Sequence, residues 1–501
     1  MFDACSAWNT LTSRTLTHEQ KLFGLAKAAE NAIPAVEISP AAQAYLRSGA
    51  ICDLFEGAAP YRPRYILPDY GRFMARGSAF LNLPPPADLD EALFSLMILY
   101  RHVPSITNFP VYLGNLGELL NPFLEGWDDE AVRARLRLFF TYLDRTVTDA
   151  FCHANLGPDD SRAARLILEV LGRERNTVPN FSLKYDPDRT PDSLLEAAVA
   201  CSLDCSNPAL ANHAANRAVF GEAYGVASCY NILPEGGGAY TLCRVTLSRL
   251  VEQARDAAHF LTELLPDCLE AMGGYINARI RFLVERCGFF ASSFLVQEGL
   301  ISPARFVGML GVAGLSECVN ALLAGSGKRY GRDPEADALG LRIMEAIDRF
   351  AAGFEAPYSP LTGGRLLLHA QVGLDSDVGV TSGVRIPVGE EPDSFAGHLR
   401  HSAAFHRFFT CGVGDIFPVA ATAARNTAAL CDVVKGAFSL GVKYMSFYAA
   451  DTDLVRITGY LVKRSEMDKF RAGKPVLQNT TQLGAPNYDH NNLARRKVRM
   501  V

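Results

Sequence analysis

Two short stretches place residues of reactive or unusual type where they could take part in chemistry. In VASCYNILPEGGGAYTLCR, Cys229 precedes Pro234 and the three glycines at 236–238. Consecutive glycines let another segment come close, so a thiol on this loop is open to whatever approaches. In LVRITGYLVKRSE, Gly459 interrupts a run of β-branched and aromatic residues that is typical of a strand. Such a glycine indicates a bulge, a bend or a close backbone approach.

Two further motifs carry weaker indications. LLAGSGKRYGRD suggests a phosphate-binding loop, but Leu322 and Arg329 stand where that loop needs glycine and serine or threonine. His398, His401 and His406 cluster in SFAGHLRHSAAFHRF without a carboxylate or fourth ligand at metal-binding spacing. We therefore expect a turn at the first motif, a structural role for the histidines, and no metal site.

Composition excludes several classes of protein. The chain of 501 residues has a net charge of −5, which argues against a dedicated nucleic-acid binder. The opening MFDACSAWNT lacks the features of a signal peptide, and no apolar run reaches membrane-spanning length. We therefore expect a cytoplasmic protein without a membrane partner. Its thiols should be reduced, and most of its 12 cysteines should be core residues.

The elements that must position Cys229 and Gly459 are of mixed type. Residues 1–150 read mainly as helices, and Asp88 after a proline run predicts the start of one of them. From residue 151, helical stretches alternate with short strands such as NFSLKYDP, AYTLCRVTL, RLLLHAQVGL and KYMSFYA. This alternation predicts an α/β fold, and the chain length suggests a barrel. We expect a helical region packed on the barrel (1–150), a barrel core with the cysteine loop (151–413) and a C-terminal domain with Gly459 (414–501).

The two stretches together resemble the glycyl radical enzymes. RITGY, residues 456–460, is similar to the C-terminal signature of that superfamily, with Arg456 and Tyr460 on either side of Gly459. Cys229 stands where the family places a cysteine loop at mid-chain. The sequence segments ASCYN, LP, GGGAYTL and GDIFP most resemble those of the YjjI-type subgroup.

The resemblance implies a fold and a cofactor. The fold would be a ten-stranded α/β barrel of two five-stranded halves, with the Cys229 and Gly459 loops meeting inside. The cofactor would be a protein-based glycyl radical at Gly459, supported by Arg456 and Tyr460, with no bound metal or organic cofactor. A separate radical S-adenosylmethionine activating enzyme with an iron–sulfur cluster would install the radical. A thiyl radical at Cys229 would then take hydrogen from a small-molecule substrate, in a homodimer.

Departures from the family bear on the reaction. Ser228 and Tyr230 flank Cys229, so the adjacent cysteines of pyruvate formate-lyase are missing, and Asn231 stands where the eliminases place a glutamate base. No cysteine follows Cys431, so the zinc site of the anaerobic ribonucleotide reductases is missing too. GGGAYTLCRVTLSRL and RITGYLVKRSEMDKFRAGK nevertheless look closer to that branch. The first hypothesis is a reductase-like reaction on a small hydroxylated, sugar- or nucleoside-like substrate.

Two alternatives stay open. One is redox-neutral elimination from a diol, with Glu235 or another carboxylate as the base. The other is a catalytically idle barrel that binds a ligand or partner. The polar or thiol groups that we expect at the substrate are Asn207, His213, Asn231, Glu235 and Cys411. Cys243 and Cys205 are the fallback positions for the thiyl radical.

Overall fold

Two larger β-sheets and two short hairpins organise the molecule in the computed structural model. The structure describes residues 4–490 except 55, 228, 371–379, 420, 421, 423, 424, 450, 451 and 458. Thr458 of RITGY, Ser228 and the end of the predicted strand RLLLHAQVGL therefore lie outside the described residues.

The strands, in chain order, are β1 (Ile51–Cys52), β2 (Tyr65–Leu67), β3 (Tyr112–Asn115), β4 (His153–Leu156), β5 (Asn180–Tyr185), β6 (Ala209–Asn212), β7 (Tyr224–Ala227), β8 (Asn231–Pro234), β9 (Gly237–Thr246), β10 (Phe306–Ala313), β11 (Leu367–Ala370), β12 (Asp415–Val419), β13 (Tyr444–Ala449), β14 (Leu454–Arg456) and β15 (Leu461–Lys463).

The α-helices are α1 (Ala4–Thr12), α2 (His18–Asn31), α3 (Pro40–Ser48), α4 (Tyr70–Arg76), α5 (Leu89–Tyr100), α6 (Leu116–Leu120), α7 (Asp129–Thr146), α8 (Arg162–Glu174), α9 (Asp192–Cys205), α10 (His213–Phe220), α11 (Leu247–Leu250), α12 (Ala257–His259), α13 (Leu265–Arg281), α14 (Phe289–Ser292), α15 (Phe294–Gln297), α16 (Leu315–Leu322), α17 (Pro334–Gly353), α18 (Phe395–His406), α19 (Thr427–Ser439), α20 (Arg464–Arg471) and α21 (Asn479–His490). Of the described helices, none has both the length and the apolar character that a membrane crossing requires.

The six-stranded sheet has the order β12-β13-β6-β5-β4-β3. Strands β3 to β6 are parallel, and helices α7, α8 and α9 connect them, as parallel pairing requires. Because β4 and β5 begin at His153 and Asn180, both side chains lie at the same, amino-terminal edge of the sheet. That edge becomes one wall of the candidate site.

The five-stranded sheet is built around the long strand β9. β10 runs parallel to β9 and to β11, while β1 and β2 pair antiparallel with β9. The N-terminal region thus supplies β1 and β2 to this sheet and β3 to the other one. The glycines at the start of β9 allow this crowding, since a Cβ on Gly238, at φ +150°, would collide with the backbone of Tyr65.

The predicted α/β fold with a helical N-terminal region is confirmed. The predicted start of a helix at Asp88 is also confirmed, because its side chain accepts a hydrogen bond of 2.9 Å from Glu91 N–H at the start of α5. The count of two five-stranded halves is not reproduced: the described strands form one sheet of five and one of six. The division into three domains stays a prediction.

The two hairpins carry Cys229 and Gly459. β7 and β8 pair antiparallel with Ala227 opposite Asn231, so Cys229 lies at the tip of this hairpin. β14 and β15 pair with Arg456 opposite Leu461. Gly459 therefore lies in the connection of a hairpin. Its sequence context had instead predicted one strand interrupted by the glycine.

Candidate active site

Cys229 and Gly459 touch each other at the tips of their hairpins. A Cβ built on Gly459 would overlap Cα and Cβ of Cys229 and would lie 2.7 Å from Cys229 Sγ. Since a C–C bond is about 1.5 Å long, the α-carbon of Gly459 lies within roughly 4.2 Å of the sulfur. The glycine is thus required by close approach, because any side chain would displace one of the two tips.

His153 and Asn180, at the edge of the six-stranded sheet, hold both tips. The backbone N–H of Cys229 donates a hydrogen bond of 2.9 Å to His153 Nε2. This bond fixes the cysteine in its left-handed conformation, with φ +78°. Asn180 Nδ2 donates to the carbonyl oxygen of Gly459. One sheet edge therefore positions two residues that are 230 positions apart in the chain.

Arg456 connects the glycine hairpin to the same edge. Its buried guanidinium donates to Asn180 Oδ1 at 3.0 Å and to the carbonyl oxygen of Ser206 at 2.8 Å. Burial, and then the nearby Arg456 charge, lower the pKa of His153 to about 3. His153 is therefore neutral, which leaves Nε2 free to accept the Cys229 N–H.

Tyr460 and Tyr230 pack the tips against their surroundings. The Tyr460 ring lies 4.9 Å from the Phe151 ring, measured between centroids, and is buried. Tyr230, next to Cys229, donates through its hydroxyl to the carbonyl oxygen of Ala370 at 2.6 Å, which ties the cysteine hairpin to β11. Each sheet thus contacts the cysteine tip, one through His153 and the other through Ala370.

The thiol of Cys229 is in its protonated form. The side chain is 2 % exposed, and burial raises its pKa to about 12, although Arg385 and Arg456 act in the opposite direction. A thiol with such a pKa is a poor nucleophile at neutral pH, because the thiolate is the nucleophilic species. Its S–H bond remains available for transfer of a hydrogen atom.

A cavity of about 400 Å³ reaches Cys229. Its lining is mainly apolar, with a few polar groups, which is typical of a small-molecule site. The lining residues are Phe23, Lys27, Asn31, Leu54, Arg64, Tyr65, Ile106, Thr107, Val111, Asp149, Phe151, Cys229, His369, Asn479, Thr480 and Leu483. Helices α2 and α21, from the two ends of the chain, both contribute to this wall.

Asp149 is the one carboxylate among these lining residues. Its Oδ1 accepts a hydrogen bond of 2.8 Å from Phe151 N–H. Burial raises the pKa of Asp149 to about 7. The cationic groups of the same wall are already paired: Lys27 with Glu30 at 2.8 Å, and Arg64 with Glu56 at 3.2 Å.

None of the five predicted substrate contacts is among the residues that line this cavity, and the contacts of four of them explain why. Asn207 binds the backbone at Phe181 N–H and Pro179 O, so it stabilises the sheet. His213 and Glu235 line a separate cavity near the base of the β7–β8 hairpin. Cys411 is buried and accepts from Asn216 Nδ2 at 3.5 Å.

Asn231, the fifth, is buried at the start of β8, two residues beyond Cys229, and is not among the cavity-lining residues. The fallback cysteines lie elsewhere too. Cys243 is in β9, and Cys205 is at the end of α9, 3.7 Å from the sulfur of Cys201. Within the described lining, Cys229 is the single cysteine.

The predicted histidine cluster forms separate contacts. His398 Nε2 lies 2.8 Å from Asp415 Oδ2, and His406 Nδ1 accepts from Lys443 N–H at 3.0 Å. His401 lies 3.3 Å from Asp337. In the part of the chain that the structure describes, no group of three or more His, Cys, Asp or Glu residues could hold a metal ion.

Sequence reasoning missed the residues that support the two tips, His153 and Asn180, and the cavity residue Asp149. His153 and Asn180 are the first residues of β4 and β5, and Asp149 lies four residues before β4, at positions where a polar residue is ordinary. A polar residue at the same end of two consecutive parallel strands is the one signal that could have indicated a shared edge.

Comparison with known proteins identifies the family. Residues 16–499 match the family described as "Glycyl radical enzyme YjjI-like". A protein of Haemophilus influenzae is 42% identical over 499 residues, covering 98% of this chain and 96% of the relative. YjjI of Escherichia coli is 42% identical over 494 residues, covering 98% and 95%.

Solved structures share the fold at low sequence identity. An anaerobic ribonucleotide reductase of Thermotoga maritima, solved with dATP and CTP, is 15% identical with a TM-score of 0.66, over 93% of this chain and 89% of that one. Hydroxyproline dehydratase of Clostridioides difficile is 12% identical with a TM-score of 0.68, over 99% and 88%. The chain belongs to the YjjI-like glycyl radical enzymes, a family whose cofactor is a radical on a glycine of the protein itself.

Proposed function

We propose that Gly459 carries the radical and that Cys229 passes it to a small hydroxylated substrate in the adjoining cavity. The observation that carries this proposal is the contact between the two hairpin tips in the protein interior. Hydrogen-atom transfer requires near-contact geometry, which the separation of at most about 4.2 Å between carbon and sulfur supplies.

The chemistry of a glycine residue suits a carbon-centred radical at its α-carbon. Glycine has no side chain to force the α-carbon out of plane, and the amide groups on both sides delocalise the unpaired electron. In the first step, the S–H bond of Cys229 breaks and the hydrogen atom joins the α-carbon of Gly459. The sulfur, now one hydrogen atom short, takes a hydrogen atom from a substrate C–H bond, which restores S–H and leaves a substrate radical.

Activation requires access to a buried glycine. A radical S-adenosylmethionine enzyme with an iron–sulfur cluster would abstract the α-hydrogen of Gly459, and so the β14–β15 hairpin must leave the interior. The described strands of this hairpin pair only with each other. Displacing the hairpin therefore breaks side-chain contacts such as Arg456 to Asn180 without disrupting either large sheet. We further propose that the enzyme is a cytoplasmic homodimer.

Two reaction courses could follow the abstraction. A reductase-like course on a sugar- or nucleoside-like substrate consumes an external reductant at each turnover, because the substrate gains electrons. Cys411, one of the groups predicted at the substrate, is not among the cavity-lining residues. The second candidate is redox-neutral elimination from a diol, which needs a group that accepts or donates a proton. Asp149 favours this second course, because its carboxyl group lines the cavity and has a pKa near neutrality. Measuring whether turnover consumes a reductant separates the two.

Electron paramagnetic resonance tests the radical pair without a known substrate. After anaerobic incubation with the matching activating enzyme, the wild-type protein should give a doublet, because the remaining α-hydrogen of Gly459 splits the signal. In D₂O the thiol of Cys229 exchanges its hydrogen for deuterium. Reversible transfer between sulfur and carbon should then replace the α-hydrogen and collapse the doublet.

The variants assign each role separately. Gly459→Ala should lose the signal. Cys229→Ala should keep the doublet, and that doublet should persist in D₂O, because no thiol remains to exchange the α-hydrogen. A doublet that still collapses in D₂O in Cys229→Ala would move the thiyl role to another cysteine. An intact chain after activation and exposure to air would contradict a radical at Gly459, since oxygen should cleave the backbone there. The idle-barrel alternative would then gain support.

A further inference from the structure

A second cavity, of about 830 Å³, lies at the opposite edge of the six-stranded sheet. It opens at the carboxyl ends of the parallel strands β3, β4 and β5, which is the edge where ligands bind in α/β sheets. Its lining residues are Asn115, Glu118, Asn121, Pro122, Gly157, Pro158, Asp159, Asp160, Ser161, Lys184, Arg189, His213, Glu222, Ala223 and Glu235. Nothing in the radical mechanism uses this cavity.

The exposed charges of Arg189, Asp159 and Glu222 at its rim are paired within the protein, and the exposed carboxylate of Glu118 accepts a hydrogen bond from Asn115. Arg189 binds Asp159 at 2.5 Å and Glu222 at 3.1 Å. Glu222 also lies 3.1 Å from His213 Nε2. A ligand therefore gains little from these groups, because each already has an oppositely charged or hydrogen-bonding partner in high-dielectric surroundings.

The buried charges at its floor are not satisfied in this way. Lys184 is 3 % exposed, and its ammonium group donates to the carbonyl oxygen of Tyr224 at 2.5 Å. Glu235 accepts at Oε1 from the Tyr112 hydroxyl at 2.6 Å. Lys184 and Glu235 line the same cavity but form no ion pair with each other. Leaving a buried charge without a counter-charge is costly.

The pKa shifts of Lys184 and Glu235 reflect the same cost of burying a charge. Burial lowers the pKa of Lys184, although the charges of Glu235, Glu118 and Glu222 act against this effect. Burial raises the pKa of Glu235, although the charge of Lys184 acts against that. Both groups are thus pushed toward their neutral forms. A ligand that brought one counter-charge to each would reverse both shifts.

A third floor group adds a hydrogen-bond acceptor. Asn115 is 7 % exposed and donates through Nδ2 to Gly157 O at 2.6 Å and to Glu118 Oε2 at 3.2 Å, while its Oδ1 has no partner among the described residues. The floor thus offers an ammonium donor at Lys184, and acceptors at Glu235 and Asn115. A simple anion would leave Glu235 uncompensated, and a simple cation would leave Lys184 uncompensated.

We propose that this cavity binds a small zwitterion, a free α-amino acid, with its carboxylate at Lys184 and its ammonium group at Glu235 and Asn115. The volume leaves room for a side chain between the charged floor and the rim. The site is separate from the catalytic cavity, because Glu235 follows β8 at the base of the hairpin whereas Cys229 is at its tip. Six extended residues span roughly 20 Å.

Binding measurements with the full chain test this proposal. Each of the twenty free amino acids, at about 10 mM, is added to the wild-type protein, and the midpoint of thermal unfolding is recorded. At least one should raise Tm by about 2 °C or more. Titration calorimetry should show at least a tenfold weaker Kd for its N-acetyl and its amide derivatives, since each lacks one of the two charges. Failure of all twenty, or equal binding of a derivative, would overturn the proposal.

Variants locate the site. Glu235→Gln and Lys184→Met should each weaken binding of that amino acid at least tenfold. Glu317→Gln is the matched control, because Glu317 is a largely buried carboxylate that binds Thr381 outside this cavity and should leave Kd unchanged. Cys229→Ala should also bind the amino acid like the wild type, because Cys229 does not line this cavity. The binding result is therefore independent of whether the radical proposal holds. Undiminished binding in Glu235→Gln would refute the assignment. If a variant does not fold, the Kd values of the N-acetyl and amide derivatives on the wild-type protein test the proposal instead.

Discussion

Replacing Gly459 with alanine tests the contact between the hairpin tips most directly. The new Cβ would overlap Cα and Cβ of Cys229 and would lie 2.7 Å from Cys229 Sγ. Part of this overlap is with backbone, which cannot rotate away as a side chain can. Overpacking of this kind costs typically about 1–3 kcal/mol, and we expect Gly459→Ala to lower the free energy of unfolding by that amount.

A matched control separates this clash from the general effect of adding a methyl group. Gly436 lies in α19, and a Cβ there would meet no atom within 4 Å. Gly436→Ala should leave stability unchanged or raise it by about 0.5–1 kcal/mol, because alanine favours a helix over glycine. Urea unfolding of both variants and the wild type gives the comparison.

A double-mutant cycle then identifies the partner. Cys229→Gly removes the Cβ that alanine at 459 would meet, and glycine tolerates the φ of +78° at position 229. Gly459→Ala should therefore be less destabilising in the Cys229→Gly background, with a coupling free energy of about 0.5–3 kcal/mol. Additivity of the two changes within about 0.5 kcal/mol would refute the contact.

Three further predictions concern the supporting residues. Asn180→Ala should lower the free energy of unfolding by about 1–3 kcal/mol, since the buried carbonyl of Gly459 loses its donor; protease cleavage near the β14–β15 hairpin should accelerate, and an unchanged rate would contradict the assigned contact. Arg456→Lys should also lower Tm, because an ammonium group cannot reproduce the guanidinium contacts to Asn180 and Ser206; equal Tm values would argue against them. Asp149 has a folded pKa raised to about 7, so its protonated form stabilises the fold fully below about pH 4, and this contribution is lost as the pH rises to 7. The wild type should therefore lose of order 4 kcal/mol more than Asp149→Asn across that range in urea unfolding, and parallel pH profiles would contradict the shift.

The type of fold and the family could be predicted from the sequence, because both depend on local patterns. The alternation of helical and strand-like segments indicated an α/β fold, and RITGY with the cysteine loop indicated the family. The sequence context of Gly459 was misleading in one respect. Short apolar runs on either side of a glycine are typical of one strand, yet here they form the two arms of a hairpin, because β14 and β15 pair antiparallel.

The residues that line the cavity at Cys229 could not be predicted in the same way. Nearness to Cys229 in the chain favoured Asn231 and Glu235, but a hairpin strand carries successive residues away from the tip by about 3.3 Å each. Glu235 therefore ends at the base of the hairpin and in a different cavity. The residues that do line the cavity at Cys229 come from segments as distant as α2 and α21.

Sequence alone therefore determined which residue types are present and most of the local elements: a cysteine on a glycine-rich loop, a glycine within a run of strand-forming residues, and the alternation of helices with strands. The tertiary structure decided which residues meet. His153 and Asn180 share an edge because parallel strands pair in register, and Cys229 reaches Gly459 because that edge holds both hairpin tips. Contacts between residues hundreds of positions apart depend on the packing of the whole sheet, and no short segment of sequence contains that information.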